Sequence, residues 1–182
     1  MLRYFLIFFL FIFNSNSNAE FKNKIIKNLK ITNNLDFKFE QNINGKIENG
    51  NCTIEYPKKI FCEYARSSNK ILVSNGKSLV VKTRTSYYRY PLEKTPLNFI
   101  LDKNFLIEKI NYLEERIVNE KLINYTILDN DTELKIFFDA QTYDLVGWQN
   151  TDIYQNFNIT FISSIRKNRV LSNNLFKIPS QN

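Results

Sequence analysis

The spacing of apolar and polar residues changes period several times along the chain. Between Glu20 and Asn33, Phe21, Ile25, Ile26 and Leu29 return at helical spacing among Lys22, Lys24, Lys27 and Lys30, which predicts a short amphipathic helix. The period then drops to two. Leu35, Phe37, Phe39, Gln41 and Ile43 alternate with Asp36, Lys38, Glu40 and Asn42, predicting a strand with one wet face. From Gly50 the alternation runs through Cys52, Ile54 and Tyr56, breaks at Pro57-Lys58-Lys59, and resumes at Ile60, Cys62 and Tyr64, so a hairpin is expected to turn near Pro57. A second hairpin follows from Ile71 to Ser74, the turn pair Asn75-Gly76, and Lys77 to Lys82. Tyr87 to Leu92 is a further extended, aromatic piece.

Thr95-Pro96 is expected to cap and open a short helix carrying Leu97, Ile100 and Leu101. From Phe105 to Tyr125 helix and strand patterns compete, and neither prevails. Thr132 to Phe138, Leu145 to Thr151 and Phe157 to Ser163 predict three more strands, separated by turn clusters at Asp139 to Asp144 and Asp152 to Asn156. A tail with Phe176 and Pro179 reads as one more edge strand. With no linker composition and no fixed repeat, the pattern predicts one domain: a strongly curved antiparallel sheet with two or three helices.

The first residues stand apart. Met1-Leu2-Arg3 is a positive start, Tyr4 to Phe13 are consecutively apolar, and Ser17-Asn18-Ala19 has a small residue at each end. This is the layout of a secretory signal cleaved after Ala19, because such an apolar run is too short to span a bilayer. An uncleaved anchor is the alternative. The expected organisation is a signal over 1–19 and a domain over 20–182. Export places Cys52 and Cys62 where disulfides persist. Each lies five residues from Pro57, so a hairpin centred there sets them opposite each other and within reach of a bridge. Neither follows the apolar run, so neither is placed to carry a lipid anchor.

Composition removes many functions. The 182 residues include no histidine, which takes away the commonest general base, the commonest zinc ligand and any Ser-His or Cys-His pair. Two motif fragments fail on inspection. Gly45 and Gly50 have phosphate-loop spacing, yet Asn51-Cys52 stands where Lys and a hydroxyl are needed; Asp129, Asp131 and Glu133 start like a calcium loop, but Leu134 and Ala140 occupy its glycine and glutamate positions. The formal charge of +7 includes the run Arg166-Lys167-Asn168-Arg169, read as a solvated loop rather than a nucleic-acid footprint. No enzyme activity, cofactor, metal or nucleic-acid partner is therefore expected. A curved sheet leaves a concave face to be filled by its own side chains or kept open for an apolar ligand.

Lys70-Ile-Leu-Val-Ser-Asn-Gly-Lys-Ser-Leu79 followed by Tyr90-Pro-Leu-Glu-Lys-Thr-Pro-Leu97 resembles the periplasmic outer-membrane lipoprotein carriers, the LolA family. Phe37-Lys-Phe-Glu-Gln41, Gly50 to Tyr64, Leu134 to Gly147, Thr151-Asp152 and Phe176 to Pro179 fall in the same order as that family's pattern. The resemblance implies an unclosed antiparallel barrel lidded by helices, whose apolar cavity takes the acyl chains of lipoproteins. It implies cargo received from an inner-membrane ATP-driven release complex and passed to an outer-membrane receptor, LolB-like and itself lipidated. A soluble periplasmic monomer is expected, with a lipid- or lipoprotein-sensing module of the same fold as the alternative. Strand parity and helix spacing place Phe37, Phe39, Ile54, Tyr56, Ile60, Leu97, Ile100 and Leu101 in the acyl-binding lining. One departure stands out: the family commonly has Arg before the proline of its first hairpin, where this chain has Tyr56. The expectation drawn from it is that the Tyr56 ring plugs the cavity mouth while its hydroxyl latches a carbonyl of the lid.

Overall fold

The computed structural model describes residues 17–66, 69–129, 132–151 and 156–181. The chain opens with helix α1 (Ser17–Ile31) and then forms β1 (Asn34–Ile43), β2 (Lys46–Glu55), β3 (Lys59–Tyr64), β4 (Ile71–Asn75), β5 (Ser78–Lys82) and β6 (Tyr87–Pro91). A 3-10 turn at Leu92–Lys94 leads into α2 (Leu97–Ile100) and α3 (Lys103–Tyr112). The remainder is strand: β7 (Arg116–Val118), β8 (Leu122–Asp129), β9 (Thr132–Asp139), β10 (Leu145–Thr151) and β11 (Phe157–Lys167). The expected signal lies mostly in residues 1–16, outside the described residues, and the expected cleavage point after Ala19 falls in the first turn of α1.

All eleven strands join one antiparallel sheet in the order β6-β5-β4-β3-β2-β1-β11-β10-β9-β8-β7. Two meanders are thus sewn together where the first strand meets the last, Phe39 opposite Ile162. The outer strands β6 and β7 do not pair, so the barrel is not closed. Side chains from Ile25, Ile26 and Leu29 of α1, from Ile100 and Leu101, and from Leu106 and Ile110 of α3 pack with Phe37, Ile54, Ile60, Ile123 and Phe138 in a single buried cluster. The helices therefore line the concave face, as expected for a lidded half-barrel.

Two glycines allow the sheet to bend. A Cβ on Gly50 would lie 2.0 Å from the Glu63 carbonyl oxygen, and one on Gly147 would lie 2.6 Å from that of Thr160. Aromatic rings fill the space each glycine leaves: Phe39 and Tyr64 meet edge to face at 5.0 Å beside Gly50, and Phe137 stacks on Phe161 at 5.8 Å over Gly147. Strand register also shifts between Asp36 and Lys38 and between Leu145 and Gly147, which adds twist.

Several elements differ from the sequence expectation. β2 begins at Lys46 rather than Gly50, because Asn44-Gly45 is itself a tight turn with φ of 49° and 88°. Thr95 does not cap α2; its hydroxyl donates to the Leu92 carbonyl at 2.8 Å and closes the 3-10 turn. The stretch from Phe105 to Tyr125 carries both patterns because most of α3, all of β7 and the first half of β8 share it, with Asp102 capping α3 by accepting from the Phe105 amide at 3.2 Å.

The tail is not an edge strand, since β11 already has β1 and β10 on its two sides. Instead it crosses the convex face. There Val73 and Val80 stand opposite each other and are buried, the Lys59 ammonium lies 5.8 Å over the Phe176 ring, and Lys82 donates to the Ser180 carbonyl at 2.7 Å. The cationic run is not a loop either. Arg166 and Lys167 belong to β11 and bind Asp36 and Asp144 at 2.5 and 2.6 Å, which clasps the strand to its neighbours.

Cys52 and Cys62 are directly opposite on β2 and β3 and are bonded, with Cα atoms 4.1 Å apart. The bridge restrains the unfolded chain over a short loop. Replacing both cysteines by serine should lower the unfolding free energy by about 2–3 kcal/mol, read as a shift in the denaturant midpoint at constant slope.

Candidate functional site

Strand pairing sets Leu35, Phe37 and Phe39 of β1, Cys52 and Ile54 of β2, Ile60, Cys62 and Tyr64 of β3, and Leu72 of β4 on the concave face. Across the central seam the same face continues through Thr160, Trp148, Ile136 and Tyr125. A cavity of about 30 Å³ remains between this face and Leu97 of α2, bounded by Phe39, Ile60, Tyr64, Leu72 and Trp148, with Gln41 and Thr160 on its polar side. Gln41 donates from Nε2 to Thr160 Oγ1 at 3.2 Å and to Asn158 Oδ1 at 3.0 Å. Such a volume holds about one water or one methylene, so the face is filled by the protein's own side chains.

All eight residues singled out from the sequence lie on this side of the sheet or in the helices above it. Phe39, Ile60 and Leu97 line the cavity; Phe37, Ile54, Tyr56, Ile100 and Leu101 are buried in the surrounding core. Tyr64, Leu72 and Trp148 escaped the reading. The first two extend the parity already visible at Cys62, whereas Trp148 needed the pairing of β10 with β11, which sequence alone does not supply. A larger hollow of about 510 Å³ lies on the convex face under the tail. Lys59, Arg169 and Lys177 ring it, which is the wrong chemistry for hydrocarbon.

The helices are fastened at one end of the sheet by a small polar cluster. The Lys58 amide donates to the Leu101 carbonyl at 2.8 Å, and the Lys58 ammonium pairs with Asp102 at 3.5 Å. Lys103 of α3 donates to the Thr32 carbonyl at 2.8 Å and lies 5.9 Å over the Tyr56 ring. The Tyr56 hydroxyl is buried and bonds nothing, so it is not the expected latch. Burial alone pushes that hydroxyl above its ordinary pKa, so it stays neutral. The cations at this seam are Lys58 of the hairpin turn and Lys103 of the lid, and neither stands at the barrel position that Tyr56 holds.

A second polar cluster sits at the other end of the concave face. The Glu48 carboxylate is buried there, bonded by Lys70 at 2.5 Å and by Lys46 at 3.3 Å, and the Lys70 ammonium lies 4.0 Å over the Tyr64 ring. Burial pushes the Glu48 carboxyl up, but the Lys70 hydrogen bond and the charges of Lys70 and Lys46 outweigh it and hold the group below its ordinary 4.5. Among the described residues no group of His, Cys, Asp and Glu is arranged to hold a metal.

A family model for the outer membrane lipoprotein carrier protein LolA matches residues 30–179. The chain belongs to the LolA family. This family binds and carries; it is not a family of enzymes. No curated protein sequence matches this chain. Among solved structures, a conserved protein from Thermus thermophilus shares 7% identity at a TM-score of 0.52, covering 90% of this chain and 94% of its own. MucB likewise shares 7% identity at 0.52 over 92% of this chain, which spans 65% of MucB. A LolA superfamily protein from Nitrosomonas europaea gives 0.48 at 7% identity, over 90% and 99% of the two chains. At these identities the likeness is one of fold. Among the described residues no helix is long and apolar enough to cross a membrane.

Two outcomes follow from the polar clusters. Tyr56→Phe should leave stability unchanged or raise it by up to about 1 kcal/mol, because the hydroxyl is unpaired; Lys103→Met should loosen the lid, seen as faster amide exchange in α2 and α3. For Glu48, whose folded pKa is depressed, the stabilisation is complete above the ordinary value and is lost as pH falls through the folded one. Acid titration followed by circular dichroism should therefore show a steeper loss below pH 4.5 in the parent than in Glu48→Gln.

Proposed function

We propose that this protein is a periplasmic carrier that shelters the acyl chains of lipoproteins while they move from the inner to the outer membrane. The observation that carries this reading is the single apolar cluster shared by sheet and helices, almost without free volume. Hydrocarbon can enter such a site only by taking the place of the lid's own side chains. Undocking Leu97, Ile100 and Leu101 exposes surface worth about 6 kcal/mol in all, whereas burying about a dozen methylenes returns about 10 kcal/mol. Apolar surface is exchanged for apolar surface, and the difference is small enough for the cargo to be given up again. No covalent step is needed.

On this reading the mature protein comprises residues 20–182, freed from a signal over 1–19. An inner-membrane ATP-driven complex loads it and an outer-membrane lipoprotein receptor unloads it. Its polar lid fastening, rather than Tyr56, sets how readily it opens. A sensor of the same fold would bind the same ligand but keep it.

The test is reconstitution. Protein incubated with inner-membrane vesicles carrying a triacylated lipoprotein should bring that lipoprotein into the soluble fraction and deliver it to acceptor vesicles. Leu97→Asp, at a half-buried lid position, should abolish solubilisation while the protein stays folded, because a charge buried against hydrocarbon is unpaired. Solubilisation by Leu97→Asp equal to that of the parent would sink the proposed site, and uptake without delivery would favour the sensor.

A further inference from the structure

We propose that Glu115 and Tyr125 form a head-group subsite beside the acyl cavity and take a protonated primary amine; this rests on the acyl-carrier reading above. The strand register places the pair together. Arg116 stands opposite Asn124 and Ile117 opposite Ile123, so Glu115, directly before this ladder, is carried towards Tyr125, which shares the concave face with Ile123 and Ile127 and feels the Glu115 charge. The Tyr125 ring is buried and meets Phe138 edge to face at 6.1 Å.

Both side chains carry a buried polar atom with no hydrogen-bond partner, Tyr125 Oη and Glu115 Oε1. Buried polar atoms are nearly always satisfied, and a carboxylate oxygen without a donor is the costliest kind to leave alone. The two atoms do not bond each other, yet the Glu115 charge reaches the Tyr125 hydroxyl, and together they describe one complement that they lack. It must donate to Glu115 Oε1 and bond Tyr125 Oη, which burial and then the Glu115 charge push above its ordinary pKa and so keep neutral.

An ammonium group with three N–H donors fits both atoms and neutralises the carboxylate. A phosphate or carboxylate head would meet Glu115 as a like charge, and a quaternary ammonium has no N–H to give. Helix α3 ends nearby at Tyr112 with its negative end, followed directly by Glu114 and Glu115. The cation already at that helix end, Lys22, donates to the Asn111 carbonyl at 3.4 Å.

Position supports the same ligand. From Tyr125 the concave face runs across neighbouring strands through Ile136 to Trp148 and Thr160, and the last two line the cavity. An amine held at the β7 rim would therefore send its hydrocarbon over Ile136 into the space beneath Leu97.

Two sources supply this chemistry: the free α-amine of an acylated lipoprotein's first residue, and the head group of an amino phospholipid. Trp148, the sole tryptophan, lies at the cavity and reports binding by its fluorescence. The full-length protein should bind dodecylamine about tenfold or more tightly than dodecyltrimethylammonium. Glu115→Gln and Tyr125→Phe should each bring that ratio towards one, while Tyr125→Phe raises the melting temperature of the empty protein by removing an unpaired hydroxyl. A diacyl lipopeptide with a free α-amine, compared with its N-acetylated form, and phosphatidylethanolamine vesicles, compared with phosphatidylcholine vesicles, separate the two sources. Equal binding of the two amphiphiles by the parent, or a preference that survives both substitutions, overturns the subsite and leaves the acyl site standing. If neither amphiphile binds, the acyl reading falls and the subsite with it.

Discussion

The sheet curves but does not close, and most of the structure answers to that. A closed barrel satisfies its own edges and fills its own interior, whereas eleven strands with β6 and β7 unpaired leave a concave apolar face that something else must cover. The three helices do this. They are short, and their standing in the fold comes less from helix propensity than from what they bury: Ile25, Leu29, Leu106 and Ile110 are in the core to within a few per cent of exposure. A cover of this kind is complete when the protein is empty and is also the part most easily lifted, since the sheet beneath holds together through its own ladders.

The two faces of the sheet divide the labour by chemistry. The concave side gathers aliphatic and aromatic residues, and its polar groups include the lid fastening around Lys58, Asp102 and Lys103, the Glu48–Lys70 pair, Gln41 with Thr160, and the Glu115–Tyr125 corner. The Glu48–Lys70 and Gln41–Thr160 pairs are satisfied internally, whereas the Tyr56 hydroxyl at the lid fastening and both atoms of the Glu115–Tyr125 corner are not. On the convex side the tail, the Asp36–Arg166 clasp and the Phe137–Phe161 stack hold strands in place, while Lys167 and Asp144 tie the strands to Asn28 of α1. Opening the lid leaves the convex-face contacts untouched.

Much of this was legible in the residues themselves. Alternation fixed the inward face of β1 to β3 because Phe37, Phe39, Ile54 and Ile60 sit among charged neighbours, and Asn75-Gly76 marked its hairpin because Gly76 accepts the positive φ of 95° that the turn requires. The Asn44-Gly45 turn, in which both residues take a positive φ, passed unread, though its signal was as good. What sequence could not supply was non-local. Trp148 reaches the cavity only because β10 pairs with β11, and Glu115 is carried towards Tyr125 only by a three-residue strand that no periodicity announces. The tail misled for a related reason: Phe176 suits an edge strand, but no edge was free where the chain emerges.

The seam between β1 and β11 has a kinetic side. Within each meander every strand pairs with the next one along the chain, so those ladders close over short loops and at little entropic cost. Phe39 opposite Ile162 is different, a contact spanning almost the whole domain, and contacts of that separation are slow to form. Until the final strand is in place, the two meanders are independent half-sheets with β1 and β10 as raw edges. Synthesis of Phe157–Lys167 thus acts as the closing stitch: a ribosome must finish nearly the entire chain before the basin that the helices cover exists at all.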